Sequence, residues 1–155
     1  MRVACTILCW VLVVVAVGCG SDDPNAPSDA LVLYIDQIEP LGTEEIRLVD
    51  AIGFARNTAI AGTPAQGVAA YEDLKGRIND FIQVIGAIPA PTEVAATHQK
   101  WVRVWQLRLE HVDLSIQAIN LDSDPDLILQ SDQKLIESNA LREQVDAELN
   151  SILPV

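Results

Sequence analysis

Residues 71–88, Tyr71-Glu-Asp-Leu74-Lys-Gly-Arg-Ile78-Asn-Asp-Phe81-Ile-Gln-Val-Ile85-Gly-Ala-Ile88, decide the fold. Their large apolar side chains recur at steps of 3, 4, 3, 4 and 3. That spacing places one apolar stripe along a helix and fits the seam of a bundle. Upstream, Gly62 supplies a stop, Thr63 an N-cap and Pro64 a favoured first helical position. Downstream, Pro89-Ala90-Pro91 ends the helix and Thr92 is read as the cap of the next.

The same period continues on both sides. The preceding stripe is Leu31, Tyr34, Ile35, Ile38, Leu41, Val49, Ile52 and Ile60, and its phase is read as holding across Pro40. One long helix with a kink at Pro40 is therefore expected, because proline removes a backbone donor and crowds the preceding turn. The following stripe is Val94, His98, Trp101, Trp105, Leu109, Val112, Ile116 and Ile119. Asp124 then caps a last helix opened by Pro125, with Leu127, Ile128, Leu135, Val145, Leu149 and Ile152 as its stripe. Ser131 and Ser138 share that face, so this helix is the least apolar and is expected to pack loosely or to border a groove. The expected fold is all-α, an up-down-up-down four-helix bundle with helices over about 29–60, 64–88, 92–120 and 125–152.

Ahead of the bundle lies MRVACTILCWVLVVVAVGCG, residues 1–20: one basic residue, an apolar run from Val3 to Val17, then Gly18 and Cys19. The run is short of the roughly 20 residues that cross a bilayer and has the form of a secretory signal. Ala16-Val17-Gly18-Cys19 resembles the lipobox of bacterial lipoproteins. The resemblance implies cleavage after Gly18, fatty acylation of Cys19, and a location at the bacterial envelope. With Gly20 after the lipidated residue, it implies the periplasmic face of the outer membrane where the host has one. Residues 19–28 then serve as lipidated Cys and polar, Pro-broken tether, and 29–155 as the domain. Cys5 and Cys9 fall inside the signal, so Cys19 is the one cysteine of the mature chain and no disulfide is expected. The mature part resembles small helical lipoproteins of bacteria through the lipobox, the Tyr34–Leu41 segment and the Pro-Ala-Pro lead-in to the helix of His98 and Trp101. That likeness assigns no role beyond Cys19.

The whole sequence carries a net charge of −12, and removal of Arg2 makes the mature chain more acidic still. Such a surface repels phosphate backbones, so nucleic acid is not an expected partner. The expected partners are the membrane, through Cys19, and an envelope protein or a second copy of the chain. The initiator is the only methionine, and His98 and His111 are the only histidines. They lie on different sides of one helix and roughly 20 Å apart along it, so they cannot share a metal. No metal or cofactor is expected. Asp122, Asp124 and Asp126 alternate as a calcium loop begins, but Leu127 and Gln133 stand where such a loop needs Gly and Glu. The triplet is read as acidic residues complementing a helix N-terminus.

His98, Trp101, Trp105 and Arg142 are the candidate ligand-binding residues: a polar hook between two indoles, with Arg142 at the level of the indoles for a cation–π contact. The competing reading is a core histidine satisfied by one hydrogen bond among indoles that fill space. Glu45, Arg56, Arg108, Lys134 and Arg142 fall on or beside the stripes, with Glu45 and Arg108 at similar heights. Long basic side chains there are expected to lie along apolar surface with their heads in water. No nucleophile elbow or phosphate loop occurs. The expected role is thus non-enzymatic, in interaction or structure. The alternatives are a small-molecule binding module around His98, Trp101 and Trp105 and, behind it, a hydrolase using His98.

Overall fold

The computed structural model describes residues 27–152, so the signal, the lipidation expectation at Cys19 and most of the tether lie outside the described residues. Among the described residues, five α-helices build four rods: α1 Asp29–Ile38, α2 Leu41–Ala61, α3 Pro64–Gly86, α4 Ala95–Asn120 and α5 Pro125–Ile152. α1 and α2 form one rod, bent by 40° at Glu39-Pro40. Both junction residues keep right-handed helical dihedrals, with φ −52° and ψ −49° at Glu39 and φ −64° and ψ −20° at Pro40. The bend is therefore the local loss of one donor and not a loop.

The core-facing phase holds through that bend: Leu31, Tyr34, Ile38, Leu41, Glu45, Leu48, Ile52 and Ala55 follow at steps of 3, 4, 3, 4, 3, 4 and 3, all buried but the half-buried Leu41. Beyond it, Glu45, Leu48, Ile52 and Ala55 are buried, whereas Val49 and Ile60, assigned to the stripe from spacing, are exposed. Val49 and Ile60 lie one position off that series, so the 40° change of axis leaves the core-facing stripe in phase, and the stripe takes in Leu48 and a carboxylate.

Caps fix the reversals. Thr63 accepts a hydrogen bond from the Gln66 amide, and the Gln66 side chain accepts from the Thr63 amide, closing a capping box behind Pro64. Gly62 precedes it because a Cβ there would stand 2.6 Å from the Thr58 carbonyl oxygen. Asp124 Oδ1 accepts from the amides of Asp126 and Leu127, the N-cap expected for α5. Before it, Asp122 and Ser123 take left-handed φ values of 53° and 65°. Their turn returns the Ser123 amide to the Ala118 carbonyl at 2.8 Å. Thr92 is not a cap. Residues 91–94 form a turn closed by the Val94 amide on the Pro91 carbonyl at 3.0 Å, and α4 begins after the fully buried Val94. Ser28 caps α1 and also donates to Glu93 at 3.0 Å, tying the start of the first rod to that turn.

α4 is the most enclosed helix, packed along both α3 and α5, while α2 packs along α3. Ser131, Ser138 and Val145 are the buried residues of α5, at seven-residue steps, and their small side chains let it lie close on α4. The backbones of α2 and α5 stay apart, and this seam is closed by side chains: Arg142 to Glu45, and Arg56 to Asp132 at 3.4 Å. Ile128, expected in the α5 stripe, is exposed beside the open part of that seam.

Candidate functional site

Trp101, Trp105 and Arg142 do converge, but on a carboxylate. Glu45 Oε1 accepts from both indole N–H groups at 3.1 Å and from Arg142 Nη1 at 2.5 Å. Arg142 also reaches Asp146 at 3.0 Å. The cation–π contact belongs to Arg108, not Arg142. Its guanidinium carbon lies 4.3 Å from the centre of the Trp105 ring. Arg108 is only 5% exposed, so its head is not in water as expected, and its Nε and Nη1 have no partner. Burial lowers its pKa to about 10, against the opposing pull of the Glu45 charge.

His98 joins this core and not a ligand. Tyr34 Oη lies 3.1 Å from its Nδ1, and a second hydrogen bond reaches the Ile85 backbone. Its ring meets Trp101 edge-on at 6.0 Å, and Phe81 meets both indoles edge-on. Burial pushes the Tyr34 phenol up to about 12. The gap bordered by Trp101, Glu45 and Arg142 measures about 20 Å³, room for one water molecule. The ligand pocket expected at His98, Trp101, Trp105 and Arg142 is therefore packed core: the indoles fill the space they were expected to line.

A larger volume opens at the other end of the bundle. A cavity of about 340 Å³ lies where α2 and α5 stand apart, walled by Ile60, Tyr71, His111, Ile119, Ile128 and Ser131 among others. Arg56 and Asp132 form an ion pair across its lining, each about half-exposed or less. His111 is 1% exposed. Its Nδ1 lies 3.0 Å from the Ser131 carbonyl oxygen and 2.8 Å from Ser131 Oγ. A carbonyl only accepts, so the imidazole carries its proton on Nδ1 and donates it there. Ser131 Oγ in turn donates to the His111 carbonyl at 2.9 Å, and Ser115 Oγ lies 2.8 Å from Ser131 Oγ. The Tyr71 phenol, raised by burial against a hydrogen bond with Ser115, stands edge-on to the imidazole at 6.1 Å.

Ser131, His111 and Asp132 thus look like the parts of a hydrolase without the wiring. A nucleophilic serine needs a ring nitrogen with a free lone pair to take its proton. Here the nitrogen beside Ser131 is protonated, and the serine proton is engaged by a carbonyl. The other ring nitrogen, Nε2, is buried with no partner.

Position explains why spacing passed over this cluster. His111 and Ser115 are four residues apart on one face of α4, and Ser131 stands about as far beyond the Ser123 turn as Ser115 stands before it. Folding the α4–α5 hairpin at Ser123 would have brought them level, and the inward face of Ser131 and Ser138 was already legible.

The acidic turn at Asp122–Asp126 gathers no metal site, and none is formed by groups of His, Cys, Asp or Glu among the described residues. No helix among them is long and apolar enough to cross a membrane. No family model, curated protein or solved structure matches the chain.

Both imidazoles are held below their ordinary pKa of 6.5, chiefly by burial, with hydrogen bonds to Ile85 and Ser131 opposing. The folded chain keeps them neutral while the unfolded chain protonates them as pH falls through 6.5. Their contribution is complete above that value and is lost as pH falls from it through the folded values. The urea midpoint is expected to drop between pH 7.5 and pH 5.5; a midpoint unchanged over that interval would show the imidazoles titrating freely.

Proposed function

We propose that this protein is a lipid-anchored component of the bacterial cell envelope, without catalytic activity, whose helical bundle binds a small molecule at the end remote from the membrane. The cavity of about 340 Å³ carries the binding part of this reading. It falls within the usual size of small-molecule sites and combines apolar walls with a few convergent polar groups. The anchoring part rests on the Ala16-Val17-Gly18-Cys19 segment. With Cys19 nine residues ahead of Ser28, the Ser28–Glu93 end of the bundle faces the membrane and the Gly62 and Ser123 turns face away.

Two measurements test this. Cys19→Ser is expected to move the protein from the membrane to the soluble fraction, and its retention at the membrane would count against lipid anchoring. A thermal-shift screen of uncharged small molecules is expected to find compounds that raise the Tm of the native chain. They should fail on Ile60→Trp, which fills the cavity mouth from a position 75% exposed. A screen that finds no such compound would overturn the binding role.

A second reading, contact with another envelope protein, is favoured by the outer face of α2. Ile46, Phe54 and Ile60 are 64%, 69% and 75% exposed there, with Val49 beside them. Isolated apolar residues on a surface are ordinary, but several along one helix mark an interaction site more often. Cross-linking in the native membrane is expected to trap a partner through this face, and recovery of uncoupled monomer alone would rule it out.

A further inference from the structure

We infer that the cavity at the α2–α5 seam selects an uncharged two-ring aromatic or similarly compact apolar molecule that carries one hydrogen-bond donor, and that His111 Nε2 accepts that donor. This deepens the binding role proposed above and rests on it. Four observations carry it.

The first is volume. A cavity of about 150 Å³ lined by aliphatic side chains accommodates benzene, so about 340 Å³ admits a second fused ring. The second is the lining: Ala59, Ile60, Ala118, Ile119 and Ile128 supply apolar contact on several sides. The third is charge. The cations and anions of the wall cancel within the Arg56–Asp132 pair, leaving no unmatched ion to select a charged ligand.

The fourth is the orphaned acceptor. The Ser131 carbonyl fixes the proton on Nδ1, which leaves Nε2 with a buried lone pair and no donor to meet it. Burial keeps the ring neutral and so preserves that lone pair. Ser115 and Ser131 cannot supply the missing proton, because their hydroxyls are engaged with each other and with the His111 carbonyl. A buried acceptor without a partner is costly, and a ligand hydroxyl or ring N–H removes the cost on binding. A ligand lacking the donor leaves it in place.

The test uses the full chain in phospholipid nanodiscs, with empty nanodiscs as the blank for partitioning, and two probes of nearly equal shape. 2-Naphthol offers a donor; 2-methoxynaphthalene offers only an acceptor. Imidazole nitrogen spectra of histidine-labelled protein report the site directly, since His98 and His111 are the only histidines. 2-Naphthol is expected to bind about tenfold more tightly than the methyl ether. It should shift the His111 Nε2 resonance and leave His98 unmoved. Ile60→Trp should abolish binding of both probes. Because Ile60 is largely exposed, that variant keeps the fold, and the result does not depend on replacing His111 itself.

Equal binding of the two probes, blocked by Ile60→Trp, would overturn the donor selection and leave the binding role standing. Binding indifferent to Ile60→Trp, or a shift at His98 instead of His111, would place the site elsewhere and overturn the inference. No binding of either probe while other compounds in the thermal-shift screen stabilise the native chain would overturn the ligand class alone. No binding of any compound would remove both.

Discussion

Glu45→Gln is expected to destabilise the bundle by about 3–5 kcal/mol, the range for removing one partner of a buried ion pair. Three donors meet on Glu45 Oε1: the two indoles and Arg142. Its charge also opposes the desolvation of Arg108. Glutamine keeps the shape and one acceptor oxygen, so the indole bonds can re-form in part. What it cannot supply is the negative charge facing two guanidinium groups, of which Arg108 is almost wholly out of water. The side chains of Glu45 and Arg142 are 12% and 21% exposed, so solvent screening is limited. Urea denaturation followed by tryptophan fluorescence reads both the loss and the change around Trp101 and Trp105. A loss below about 1 kcal/mol, the level of a surface pair, would mean that water already screens the cluster.

The all-α architecture was legible because it depends on spacing alone. The run from Tyr71 to Ile85 is buried at every apolar position the 3–4 period picks out. The Thr63 and Asp124 caps were equally legible, since a side-chain oxygen placed just before a helix finds the free amides wherever the helix goes. Pro40 announced the bend, and the phase held across it. The 3–4 series runs on through the 40° bend, from Leu31 to Ala55. Val49 and Ile60 stand one position off that series, whereas Glu45 stands on it, where a search for apolar residues alone passes over a carboxylate.

The candidate site shows a second limit. A Trp pair and a histidine on one stripe mean the same thing to a wheel whether they line a void or fill it. The decision rests with what the other helices insert, here Tyr34, Glu45 and Phe81. Volume left open depends in turn on which backbones fail to approach. The thin apolar face of α5 hinted at a groove, and the cavity does lie against that helix. Its register against His111 required the hairpin geometry of α4 and α5, which no single-helix pattern contains.

Arg108→Met is expected to act in the opposite direction to the Glu45 substitution, raising stability by about 1–4 kcal/mol. Arg108 gains a cation–π contact with Trp105, of about 2 kcal/mol when desolvated. Against that stand a guanidinium taken out of water and two donors, Nε and Nη1, with no acceptor. Glu45 is already engaged by Arg142, so losing Arg108 leaves a matched pair and no orphaned anion. Methionine preserves the unbranched stem and lays a polarisable sulfur against the same indole. The two substitutions must also couple. In the Glu45→Gln background Arg108 has lost its nearest compensating charge, so Arg108→Met should restore more than it gains in the native chain. The excess is expected at about 1–3 kcal/mol in a double-mutant cycle. Additive effects would separate Arg108 from the Glu45 cluster, and a net loss from Arg108→Met alone would show that its contact with Trp105 outweighs the cost of its burial.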